Sequence, residues 1–303
     1  MHKFLRTVGF SRLKTSHDFA RLLDTLMRDL SGIETLTLPD GSTIFQLRKE
    51  FAPGLGLMIC GEYSENGLPV PEYYFPYLLS DDKTSDVDCS IQRHTERETF
   101  AGLLDEYRVG ISLIFYIVNT LEYRKRKAER KSIRSDHVCL TGLCIKGTVL
   151  LPIRKTRRQI ETAKVANQKL TALLEAARNG DEDAIESLTF KDIDLYAQIS
   201  RRVMREDIYS IVDSSFMPCG VECDQYAVIG EITNVALLHN ESTGEDTYDL
   251  TLYCSDLTFH VAINAKDLLG DPQPGRRFKG QVWMQGVVKF RSRAPRPPTK
   301  PQS

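Results

Sequence analysis

Apolar residues recur along this chain at two spacings, and each spacing predicts an element. Phe19, Leu22, Leu23, Leu26, Met27 and Leu30 fall at helical intervals with Arg21, Asp24 and Arg28 between them, which predicts an amphipathic helix. Thr15 and Asp18 form a capping-box pair at its start, and Gly32 is its stop. Two hairpins follow. Ile33–Leu38 and Thr43–Phe51 flank Pro39-Asp40-Gly41-Ser42, and Leu57–Tyr63 and Val70–Tyr77 flank Asn66-Gly67. Pro69, Pro71 and Pro76 make the last of these an edge strand, because proline donates no ladder hydrogen bond. Residues 80–98 read as a polar loop. Val109–Asn119 is short, apolar and β-branched, so it reads as a buried strand. Leu121–Ser132 reads as a charged helix, and Val138–Ile153 as one bent strand or two short ones.

From Thr156 onward the spacing turns helical again, through Ile160, Ala163, Leu170, Leu173, Leu174 and Ala177 to Asn179-Gly180. Two further helices are expected over 181–188 and 190–213. Beyond residue 219 the period is two. Tyr248, Leu250, Leu252 and Cys254 alternate with polar neighbours, as do Leu257, Phe259, Val261 and Ile263, with Ser255-Asp256 as the turn. Tyr226–His239 predicts a strand bulged at Gly230, Asn264–Gly270 a helical turn, and Phe278–Phe290 one or two strands broken at Gly286. The expected fold class is therefore α+β: an α+β domain over 1–153, a helical connector over 154–218, a small antiparallel barrel of OB or SH3-like type over 219–290, and a disordered basic, proline-rich tail over 291–303.

Composition narrows the class without naming a chemistry. The 303 residues carry 40 basic and 41 acidic side chains, a net charge of −1, which excludes an overall basic chromatin-type protein and an acidic disordered one. Seven scattered cysteines do not make a secreted disulfide framework, and no apolar run reaches membrane-spanning length. The expectation is a soluble, reducing, cytoplasmic setting, with no membrane partner.

No phosphate loop, dinucleotide fingerprint, zinc-protease or serine-elbow motif is present; Gly54-Leu55-Gly56 is a turn. Cys219 and Cys223 supply two thiols where a structural zinc needs four ligands, so no metal and no cofactor is expected. His260 falls on the polar face of its strand and reads as a solvated or cross-strand histidine. Asp105-Glu106 reads as a solvated loop pair, and Asp192 and Asp194 diverge around a helix. Three basic clusters stand out: Arg124–Lys127 with Arg130, Lys131 and Arg134; Arg154–Arg158; and Arg276-Arg277-Phe278-Lys279 with tail arginines.

The stretches MHKFLRTVGFSRLKT, GEYSENGLPVPEYYFPY, DEYRVGISLIFYIVN, DIYSIVDSSFMPCGVECDQYAVIGEI and INAKDLLGDPQPGRRFKGQVWMQG resemble a family of uncharacterised bacterial proteins, found mostly in clostridial-type anaerobes and described only as a domain of unknown function. The resemblance covers about residues 1–290. It implies a bacterial cytoplasmic protein and one family-wide architecture, and it brings no activity, cofactor or catalytic residue. The reading at this stage is a non-enzymatic binding or adaptor protein whose partner is a protein or a nucleic acid. For nucleic acid, Arg276, Arg277, Lys279, Arg291 and Arg293 would hold phosphates and Trp283 would stack a base or pack the barrel. Two alternatives stay open: an enzyme with its site around Glu62, Asp105, Glu106 and Asn119, and a self-assembling structural subunit that forms a homo-oligomer.

Overall fold

The structure is a computed structural model. It describes residues 2–153 apart from 14, 94–98 and 107, residues 212–291 apart from 221 and 222, and scattered positions between 165 and 187. Among these the chain forms fourteen strands and four short helical elements, so it is mostly β rather than α+β. Strands β1 (Gly32–Thr37), β2 (Thr43–Ala52), β3 (Leu55–Tyr63) and β4 (Pro69–Leu78) make a four-stranded antiparallel meander with β4 at an edge, where its prolines cost no ladder bond. Helix α1 (Ser16–Leu26) precedes it, and both arms of the Thr15–Asp18 capping box are made.

The remaining strands form one larger sheet. They are β5 (Cys89–Arg93), β6 (Phe100–Glu106), β7 (Ile111–Ile117), β8 (Ser135–Leu150), β9 (Ser215–Pro218), β10 (Gln225–His239), β11 (Asp246–Cys254), β12 (Leu257–Asn264), β13 (Leu268–Leu269) and β14 (Arg277–Phe290). The expected small C-terminal barrel does not stand as a fold of its own. β8 runs parallel to β12 and antiparallel to β14, and β14 also pairs with β7, so strands from the first half of the chain complete the sheet begun by the last. The alternating burial of β11 and β12 was legible. Which strand would lie beside them was not, because pairing between segments more than a hundred residues apart leaves no periodic trace. Most of the expected connector, including Asp192, Asp194 and the whole Arg154–Arg158 cluster, lies outside the described residues.

Two local readings also change. Residues 89–93 are a strand rather than loop, paired with β6, itself unforeseen because Gly102 interrupts its apolar run. That glycine is required: a Cβ there would lie 2.2 Å from Phe115 Cζ, whose ring also presses on Gly286. The bulge in β10 falls between Ile232 and Asn234, not at Gly230.

Each face of the larger sheet carries a core. One holds Leu250, Leu252, Phe259, Val261, Phe278, Val282 and Met284. The other sets Tyr116, Val118 and Trp283 against Phe75 and Met58 between the two sheets, and continues on the far face of the meander through Phe45, Leu47, Leu57 and Ile59, beside Phe19 of α1. Because both faces are covered, the polar positions of β11 and β12 are buried too, Thr247 and Asn264 among them. They brace the N-terminal 3-10 turn Lys3–Val8: Thr247 donates to Thr7 O (3.0 Å), Asn264 Nδ2 to Arg6 O (3.0 Å) and Asn240 Nδ2 to Val8 O (2.6 Å). Glu245 completes the brace by accepting from Ser11, Asn264 and Lys266. Burial pushes its pKa up, but these hydrogen bonds outweigh burial and hold it below the ordinary carboxylate value.

Candidate functional site in the cleft between the sheets

The layer between the sheets is filled unevenly. Toward the N-terminal turn, Trp283 stacks on Phe4 (5.2 Å between ring centroids) and contacts Tyr116 (5.4 Å), which meets Phe75 edge-on (4.8 Å). Toward the C-terminal end of β14 the side chains are smaller. There Gln46, Met58, Val118 and Val287 form the floor of an open cavity of about 780 Å³, within the size range of small-molecule sites. Gly32, Ile33 and Glu34 of β1 line one rim, Leu79–Asp81 another, and Asn119 and Glu122 the end where helix α2 (Thr120–Ala128) begins.

Strand alternation places these groups. Gln46 and Arg48 stand two apart on β2, so they share a face, and both line the cleft. Gln46 is buried and clamps the two sheets: its Nε2 donates to Val118 O (2.8 Å) and its Oε1 accepts from Leu121 N–H (3.4 Å). Asn119 ties the start of α2 to β14 within the larger sheet, accepting from Val288 N–H and donating to Val288 O and Glu122.

Each charged group has an opposite charge nearby, and one pair is loose. Glu34 faces Lys125 at 3.5 Å, Glu122 is held by Arg126 at 2.9 Å, and Asp81 pairs with Lys289 at 2.9 Å. Asp81 is held below its ordinary pKa by the hydrogen bond and charge of Lys289. Arg48 has only Glu50 at 3.7 Å, beyond hydrogen-bond reach, and its Nε is buried with no hydrogen-bond partner. The guanidinium nevertheless reaches the opening, its side chain being 42% exposed.

The residues singled out from sequence are dispersed. Trp283 is buried, and its indole N–H donates to Asp224 at 2.7 Å, so no face is left for a base. Arg277 is buried and donates to Leu151 O and Val212 O. Arg276 donates to Asp271 O at 2.7 Å, and Arg291 to Ser135 O at 2.9 Å. Lys279 stands half-buried on β14 opposite Ile229, and Arg293 lies outside the described residues.

The acidic candidates do not converge either. Glu62 is on β3 and lines a different, smaller cavity, while Asp105 accepts from Ser112 at 2.6 Å. Glu106 is not the solvated acid expected. It is fully buried, accepting from Ser85 (2.6 Å) and from Arg108 Nε and Nη2 (2.7 and 2.6 Å). Burial pushes its pKa up, and these partners pull it below the ordinary value. Only Asn119 lies in the cleft.

His260 is cross-strand and mostly buried. Its Nδ1 meets both oxygens of Asp249 (3.0 and 3.1 Å) and its Nε2 meets Asp82 (2.9 Å). With both ring nitrogens given to carboxylates, neither is left to take a proton from a nucleophile. Five of the seven cysteines are buried; Cys219 is exposed and Cys223 half-buried, and among the described residues no group of three or more metal-ligating side chains converges.

Sequence reasoning missed Arg48, Gln46 and Lys289. The signal for the first two was present: two polar residues on one face of a strand whose other face, Phe45, Leu47 and Phe51, is apolar. Among the described residues, no helix is long and apolar enough to cross a membrane.

No curated protein and no solved structure matches the sequence. One family profile does, over residues 5–286, described as a domain of unknown function from an E. rectale gene (DUF3881). That match takes in both sheets up to the last four residues of β14, and the cleft lining except Val287 and Lys289, and the chain belongs to this family.

Proposed function

We propose that this is a binding protein and that its ligand site is the cleft between the sheets. One observation carries the reading: a cavity of about 780 Å³ with an apolar floor has at its opening the partly exposed Arg48 guanidinium, whose nearest carboxylate, Glu50, lies beyond hydrogen-bond reach at 3.7 Å. The surroundings fit a site: clamps at Gln46 and Asn119 hold the walls, and the remaining charges are matched in pairs. The acids once considered for catalysis are spread over separate places, which favours binding over chemistry.

The test is a fragment screen by thermal shift on the whole chain and on Val287→Trp, whose indole would occupy the cavity floor. Fragments that stabilise the wild type and lose their effect in Val287→Trp are the expected result. If every stabilising fragment acts equally on both proteins, the cleft is not the site.

A further inference from the structure

We infer that the occupant of this cleft is a monocarboxylate with an apolar body, a conclusion that rests on the cleft being the ligand site. Each carboxylate at the rim already faces a cation: Glu34 with Lys125, Glu122 with Arg126, Asp81 with Lys289. A cationic ligand would have to displace one of these. Arg48 alone has its nearest carboxylate, Glu50, beyond hydrogen-bond reach at 3.7 Å, so the partner its exposed end can still take is an anion.

Geometry then selects the anion. The exposed end of the Arg48 guanidinium presents its two Nη groups as a planar fork that matches the two oxygens of a carboxylate, giving two parallel charge-assisted hydrogen bonds. Charge selects its valence. Glu34, Glu122 and Asp81 are matched by Lys125, Arg126 and Lys289, and Arg48 keeps only the loosely placed Glu50, so the cleft offers at most one positive charge, which a monoanion matches and a dianion such as a phosphate monoester exceeds. Finally, Met58, Val118 and Val287 offer a floor to apolar carbon. Methionine adapts its shape readily and suits a chain or ring of no fixed outline.

Three probes with one body separate the claims: octanoate, octan-1-ol and octyl phosphate. The readout is the Met58 methyl resonance in protein carrying 13C-methyl methionine, assigned with Met58→Leu. Octanoate is expected to shift this resonance with an affinity at least about tenfold above that of either other probe, a preference the size of one good charge-assisted contact. Arg48→Met is expected to abolish the preference while octan-1-ol still binds. Equal affinity for octanoate and octan-1-ol, tighter binding of octyl phosphate, or a preference that survives Arg48→Met overturns the carboxylate and leaves the cleft standing. A Met58 resonance indifferent to all three probes overturns the cleft itself.

Discussion

The two ends of the inter-sheet layer are built from the same strands, yet one is closed and the other open. At the closed end Phe4, Trp283, Tyr116 and Phe75 fit ring to ring, and the N-terminal turn is tied over them by Thr247, Asn264 and Glu245. At the open end Val287 stands four residues along β14 from Trp283, and Gln46 and Arg48 occupy positions that a packed layer would give to apolar side chains. Two sheets packed face to face lie about 10 Å apart, a gap that aromatic rings span and valines do not. Side-chain size therefore decides where the layer seals, and polarity decides what the unsealed part is for.

This contrast predicts graded responses to substitution. The largest is at the closed end: Trp283→Ala removes an indole from a filled layer and is expected to cost about 3–5 kcal/mol in urea unfolding. An effect below about 1 kcal/mol would mean the rings are not a packed core. Next is Glu245→Ala, which strips the brace from the N-terminal turn and leaves Asn264 Nδ2 with one acceptor fewer. About 2 kcal/mol is expected, together with faster amide exchange over residues 4–10 than elsewhere. Exchange unchanged in that stretch would detach the brace from the closure. At the open end Val287→Ala should cost only about 1 kcal/mol, since water already reaches one side of the valine. A loss matching that of Trp283→Ala would contradict the difference between the ends.

The smallest effect is a pH response at the wall of the open end, where Asp82 follows the cleft residue Asp81 and pairs with His260. Burial pulls the His260 pKa down, but hydrogen bonds and charge from Asp249 and Asp82 outweigh it and raise the pKa above 6.5. The pairing therefore stabilises the fold fully below pH 6.5 and is lost as pH rises through the folded value. Between pH 6 and pH 9 the wild type should lose about 0.5–1 kcal/mol more than His260→Asn. Parallel stability curves would show that the histidine does not titrate against these acids.

What could be read from the sequence divides along the same physical line. Local devices were legible: the Thr15 capping box, the hairpins at Gly41 and Gly67, the edge prolines of β4, and the Ser255-Asp256 turn, where both residues take positive φ. Each depends on neighbours within a few residues. The pairing of β8 with β12 and β14 depends on residues over a hundred positions away, so the mostly-β fold was taken for α+β, and one continuous sheet for a separate barrel. The site failed for the same reason. Arg48 looks ordinary in LRKEF until β14 and α2 arrive opposite it, and Trp283 looked available until Phe4, 279 residues earlier, covered it. Glu106 was misread because its partners Ser85 and Arg108 are gathered by a loop and a turn that carry no periodic signal.

The most direct test of the account is the stability of Arg48→Met in urea, measured without any ligand. If Arg48 is kept for what it binds, removing its buried unpartnered Nε should leave the unfolding free energy unchanged or raise it by up to about 1 kcal/mol. A loss of more than about 2 kcal/mol would make the guanidinium part of the scaffold, and the open end of the layer would then need another explanation.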